Sequence, residues 1–108
     1  MECWWSIVFV GSPASDHPVG ILVLDRATDL FYARLKKNWI AANEDDQVWW
    51  DHFREELLER SGKTGGSSFF ENLQDAASHF VTVSDAEKAL CSDSASLLDT
   101  LYANHIDE

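Results

Sequence analysis

Apolar and polar positions keep the period of strands over the first third of the chain and the period of helices over much of the rest. Trp4 to Val10 (WWSIVFV) is a short run of aromatic and β-branched residues, which predicts a strand. Gly11 to Pro18 carries two prolines and a glycine and reads as a loop. Val19 to Asp25 (VGILVLD) is apolar on both parities, as expected of a central strand buried on both faces. Arg26 to Asp29 supplies a turn. From Leu30 to Lys36 the pattern alternates: Phe31, Ala33 and Leu35 share one face, Tyr32, Arg34 and Lys36 the other. That alternation predicts a half-exposed strand forming a hairpin with the one before it, and the Trp4 strand pairs on the hairpin's other side.

The period then changes. Asn43 to Arg60 places Trp49, Trp50, Phe53 and Leu57 on one side of a helix. Asn43 can cap it, and Glu44, Asp45 and Asp46 fill the first turn, where the helix dipole favours negative charge. Arg60 sits in the last turn and Gly62 is a natural stop. Gly62 to Ser67 (GKTGGS) reads as a flexible connector. Ser68-Phe69-Phe70-Glu71 has the form of a capping box opening a second helix to about Ser78. His79 to Ser84 predicts a strand. Ser84-Asp85-Ala86-Glu87 can cap a helix, or Asp85-Ala86-Glu87 is a turn into a short strand, Lys88 to Ser92. The turn is preferred because Leu90-Cys91-Ser92 is a poor helix interior. Asp93 caps a last helix through Leu97, Leu98, Leu101 and Tyr102, with a tail from His105 that frays.

The resulting order is β-β-β-α-α-β-(β)-α over one domain, residues 1–108. Strands in a run followed mainly by helices predict an α+β fold with a mainly antiparallel sheet of four or five strands and about three helices. The helices are expected on one face. The apolar opposite face of the central strand then calls for a homodimer through the sheet or its edge.

Charge changes the picture most. Nineteen Asp and Glu against eight Lys and Arg give a net charge of −11. Such a field opposes phosphate-neutralising nucleic-acid binding and anionic membrane surfaces, and it favours a basic protein partner or a cation. Two cysteines, Cys3 and Cys91, are too few for a disulfide framework and fit no zinc spacing. The start lacks a basic signal-peptide region, and no apolar run is long enough to span a membrane. The chain reads as cytoplasmic.

Candidate chemistry is sparse. Gly62-Lys63-Thr64 resembles the end of a phosphate-binding loop, but Leu57 stands where that motif needs glycine. His52 and Glu56 are four apart on a helix and still lack a third ligand, so no metal or cofactor is assigned. No Gly-x-Ser-x-Gly elbow occurs and neither cysteine has a His nearby in sequence, which argues against an enzyme. Five tryptophans are the more telling feature. Trp49 and Trp50 point about 100° apart on a helix, so one borders the core and the other is partly exposed. Exposed Trp marks interfaces. Trp4 and Trp50 are therefore assigned to a candidate interface with Tyr32, Arg34, Lys36, Lys37 and Trp39. The basic strip Tyr32, Arg34, Lys36 also fits single-stranded nucleic acid, although a guard for an edge strand suits an acidic protein better.

The stretch PVGILVLDRATDLFYARLKKNW, the acidic helix, HFVTVSD and the terminal LLDTLYANHI resemble a family of small uncharacterised bacterial proteins. Its members carry a similar Val-Gly-x-Leu-x-Leu-Asp, a Thr-Asp turn, a Leu-Tyr-x-Arg-Leu strand, and an Asp-Trp or Asn-Trp, here Asn38-Trp39. The resemblance implies an architecture and a bacterial cytosolic setting, and no activity. Three functional expectations follow. The first is a small acidic, non-enzymatic interaction or regulatory module acting as a homodimer. The second is a small-molecule or metal-binding protein with a pocket between the Trp49/Trp50 helix and the sheet, lined by groups such as His52, Arg34 or His79. The third is single-stranded nucleic-acid binding through Tyr32, Arg34, Lys36 and Lys37.

Overall fold

A computed structural model of the chain describes residues 2–10, 17–36, 44–75, 81–90 and 93–106. Its elements are β1 (Glu2–Val10), β2 (His17–Asp25), β3 (Leu30–Leu35), α1 (Glu44–Arg60), α2 (Gly66–Asp75), β4 (Val81–Val83), β5 (Glu87–Leu90) and α3 (Ser94–His105). The fold is α+β in the expected order, with five antiparallel strands and three helices. The sheet runs β3-β2-β1, and β4 and β5 both pair with the remaining edge of β1. Residues Glu87–Leu90 form a strand, in line with the preferred turn-and-strand reading of this segment; Cys91 and Ser92 lie outside the described residues.

β4 and β5 act as one strand interrupted by a bulge. Val83 faces Val8 and Glu87 faces Trp5, so the outer strand spends one more residue than β1 over this interval. Ser84 closes the gap. Its N–H donates to the Ile7 carbonyl at 2.9 Å, and its hydroxyl accepts from the Ile7 N–H at 2.8 Å. A side-chain oxygen thus takes the place of a ladder carbonyl.

A second irregularity sets the face that Val19 takes on β2. Val8 faces Gly20 and Phe9 faces Pro18, leaving Val19 without an opposite residue. Val19 therefore joins Leu22 and Leu24 on the side that carries α1 and α2. That layer contains Val8, Val10, Phe31, Ala33, Leu35, Trp50, Leu57, Phe70 and Leu73. Full burial of side chains of this size contributes about 1.5–3 kcal/mol each before ordering costs.

The other face departs from expectation. α3 covers it, packing Leu98, Leu101 and Tyr102 on Cys3, Ile21 and Val23. Helices therefore flank both sheet faces. The apolar back of β2, which motivated a homodimer through the sheet, is covered by the chain itself. Ile106 belongs to this second layer and its N–H donates to the Tyr102 carbonyl at 2.9 Å, so the tail is docked at least to that residue.

The connector after α1 is pinned as well. Gly62 N–H donates to the Phe31 carbonyl at 2.6 Å, Phe31 N–H to the Lys63 carbonyl at 3.2 Å, and Ala33 N–H to the Ser61 hydroxyl at 3.1 Å. These bonds satisfy the outer edge of β3 over Phe31–Ala33. Gly62 and Gly65 have φ of 83° and 80°, conformations that disfavour other residues. A Cβ on Gly66 would lie 2.8 Å from Phe31 Cβ and 2.9 Å from Phe31 N, so only glycine fits there. α2 begins at Gly66 rather than at the Ser68 box. Its early N–H at Ser67 donates to Asp29 Oδ1 at 2.9 Å, an acceptor from the β2–β3 turn that local sequence does not reveal.

Candidate interaction surface

α1 carries seven carboxylates and two guanidinium groups over its 17 residues. The acids of the first turn suit the positive end of its dipole. Its apolar residues do not form one clean stripe. Trp50 and Leu57 point into the core at 1% and 0% exposure, whereas Val48 is 52% exposed and Leu58 41%. Trp49 and Phe53 lie between these extremes, stacked with ring centroids 5.0 Å apart and planes at 19°. The expectation of one buried and one partly exposed tryptophan is met, with the assignment reversed. Trp50 belongs to the core, because it shares the helix side of Leu57; Trp49 is the partly exposed one.

Two hollows meet at Trp49, Phe53 and Glu56. One, of about 390 Å³, is completed by Asp45, Val48 and His52 on α1. The other, of about 360 Å³, is completed by Arg60 and by Phe69, Asn72 and Leu73 across α2. Together they form a trough along the flank of α1. Its floor is aromatic and aliphatic, and its rim carries Asp45, Glu56 and Arg60. None of the three takes part in an ion pair among the described residues. Arg60 lies 5.2 Å from the Phe69 ring centroid.

The expected basic strip is engaged within the chain. Arg34 donates to Asp99 Oδ1 at 2.9 Å, and its guanidinium carbon sits 4.2 Å from the Tyr102 ring centroid. Tyr32 packs against the α3 layer. The strand is half-exposed as expected: on its outer face Tyr32 and Arg34 contact α3, the Arg34 side chain staying 47% exposed, and Lys36 at its end is half-buried. Lys37, Trp39, His79 and Cys91 lie outside the described residues. Arg34 and His52 sit on opposite sides of the sheet and do not converge on one pocket. Trp4 is half-buried at the margin of the first core layer, with Arg26 4.8 Å and Lys88 5.3 Å from its ring centroid.

Two buried polar residues, Asp25 and Ser94, meet at the start of α3. Asp25, 3% exposed, accepts from Ser94 Oγ at 3.1 Å and from Ala27 N–H at 3.0 Å, and Cys3 Sγ lies 3.8 Å from the same Ser94 hydroxyl. Burial pushes the Asp25 carboxyl pKa up. Hydrogen bonds from Ser94, Ala27 and Thr28 outweigh that and hold it below the ordinary aspartate value. Such a site anchors α3 and the turn after β2. It presents no surface to a substrate.

Among the described residues no group of three or more His, Cys, Asp or Glu is placed to hold a metal ion, and no helix is long and apolar enough to cross a membrane. Searches with protein-family models, curated proteins and solved structures find no match to this chain, so the resemblance noted in the sequence gains no support from them.

Proposed function

We propose that the protein is a non-enzymatic interaction module whose binding surface is the flank of α1 facing α2, and whose partner is a basic, amphipathic protein segment. The observation that carries this reading is the trough itself. Apolar side chains, Val48 at 52% exposure among them, lie on a helix with seven carboxylates. Exposed apolar groups in such a setting complement a segment that offers both aliphatic side chains and cations. A second copy of the chain is a poor occupant, since its α1 carries the same negative charge.

The test uses a helical lysine/leucine peptide titrated by calorimetry. Affinity should fall as salt rises. The pair Val48→Asp and Glu56→Lys should weaken it about tenfold or more. The control pair Leu90→Asp and Glu87→Lys makes the same net charge change on the opposite sheet edge, at exposed residues, and should change it about twofold or less. Equal loss from both pairs would reduce the binding to the general field of an acidic protein and end the proposal.

A further inference from the structure

We infer that the trough reads a charge order in its partner: cation, apolar ridge, cation, anion. The inference rests on the function proposed above and adds the geometry of what binds. Asp45, Trp49 and Glu56 fall on one stripe of α1, at offsets of whole helical turns, with Val48 and Phe53 beside them. Arg60 continues the stripe toward α2. At 1.5 Å per residue, Asp45 and Glu56 stand about 16 Å apart along the helix, and Arg60 about 6 Å beyond Glu56. The apolar floor lies between the two carboxylates and continues toward the guanidinium. The rim therefore presents minus, minus, plus in a fixed order rather than a uniform acidic wall.

A helical partner segment laid along α1 matches that order with two Lys or Arg residues and one Asp or Glu at the same spacing. Its leucine-like side chains then seat over Phe53, Phe69 and Leu73. Opposite charges brought together at a partly desolvated rim set register, and like charges at the wrong step are repelled. Arg60 supplies the discriminating element. An all-basic segment places a cation against it, whereas a segment with a correctly placed carboxylate gains a charge-assisted bond.

The experiment compares synthetic helical peptides of identical composition. In the matched peptides two lysines and a glutamate are spaced as Asp45, Glu56 and Arg60, in either chain direction, with leucines between. In the scrambled peptide the same charges are permuted. One matched peptide should bind about tenfold tighter than the scrambled one. That preference should vanish in Arg60→Glu, a change at an exposed residue whose effect on folding is checked by circular dichroism. The inference is overturned if matched and scrambled peptides bind equally while both depend on Val48 and Glu56; the parent proposal survives that result. If no peptide binds, the parent proposal fails with it.

Discussion

At the scale of single residues, Asp25 shows how a buried carboxylate is kept charged. Three neighbours donate to it, and the folded state consequently binds its proton less readily than the unfolded chain does. The stabilisation is complete above the unfolded aspartate pKa, near 4 by ordinary values, and is lost as pH falls through the lower folded one. Asp25→Asn should therefore cost about 1–3 kcal/mol at neutral pH. In urea unfolding series its deficit against the parent should shrink below about pH 4. A deficit independent of pH would mean that the charge on Asp25 does not matter. Asp29, also held low by its bonds to Ser67, adds to the same acid limb of the parent. The tryptophan pair offers a second test. Trp50→Ala empties a core site and should cost about 3–5 kcal/mol, whereas Trp49→Ala should cost clearly less. Equal losses would contradict the burial difference between them.

At the scale of elements, the chain depends on a few places where segments distant in sequence touch closely. Gly66 is the tightest against backbone, with Phe31 N 2.9 Å from where a Cβ would lie. Its neighbours include the backbone of Phe31, which cannot move without breaking the hydrogen bonds that edge β3. Gly66→Ala should destabilise by about 1–3 kcal/mol, read as a lower urea midpoint at unchanged slope; a neutral result would show that the connector can shift away. Such contacts mark the limit of what the sequence discloses. The hairpin, the acidic helix and the α3 cap at Asp93, whose side chain accepts from Ala95 N–H at 3.3 Å, were legible because their signals are local. The start of α2 was not legible. Its acceptor comes from Asp29, far back in the chain, and the Ser68 box mimicked a cap. The placement of α3 on the second face was hidden for the same reason. A helix's apolar stripe says that it packs, not on which side of a sheet. Of the candidate surface, the acidity of α1 could be read directly. Which of two adjacent tryptophans points inward depends on the rotation of α1 about its axis, and only packing sets that.

At the scale of the whole molecule, the design is a sheet enclosed on both faces by its own helices, with acidic charge concentrated on one of them. The cations are used sparingly. Arg34 is tied to Asp99 and Tyr102, and Arg26 and Lys88 lie near Trp4. A surface for phosphate tracks would need them gathered and free. Among the described residues, the large exposed apolar side chains lie on α1, at Val48 and Leu58, and at the end of β5, where Leu90 is 84% exposed. The β5 site carries Glu87 and Lys88, charges that discourage strand pairing.

The connector that seals β3 has a consequence for how copies of this chain can add to one another. A sheet grows without limit only when each unit offers two open edges. Here the Ser61–Lys63 bonds occupy one edge over Phe31–Ala33, and the short β5 is left as the opposite one. Among the described residues, two molecules that met through the β4–β5 side would cover the edge that each leaves opposite β3. Among the described residues, edge-to-edge growth beyond such a pair requires the connector to peel away from β3 over Phe31–Ala33.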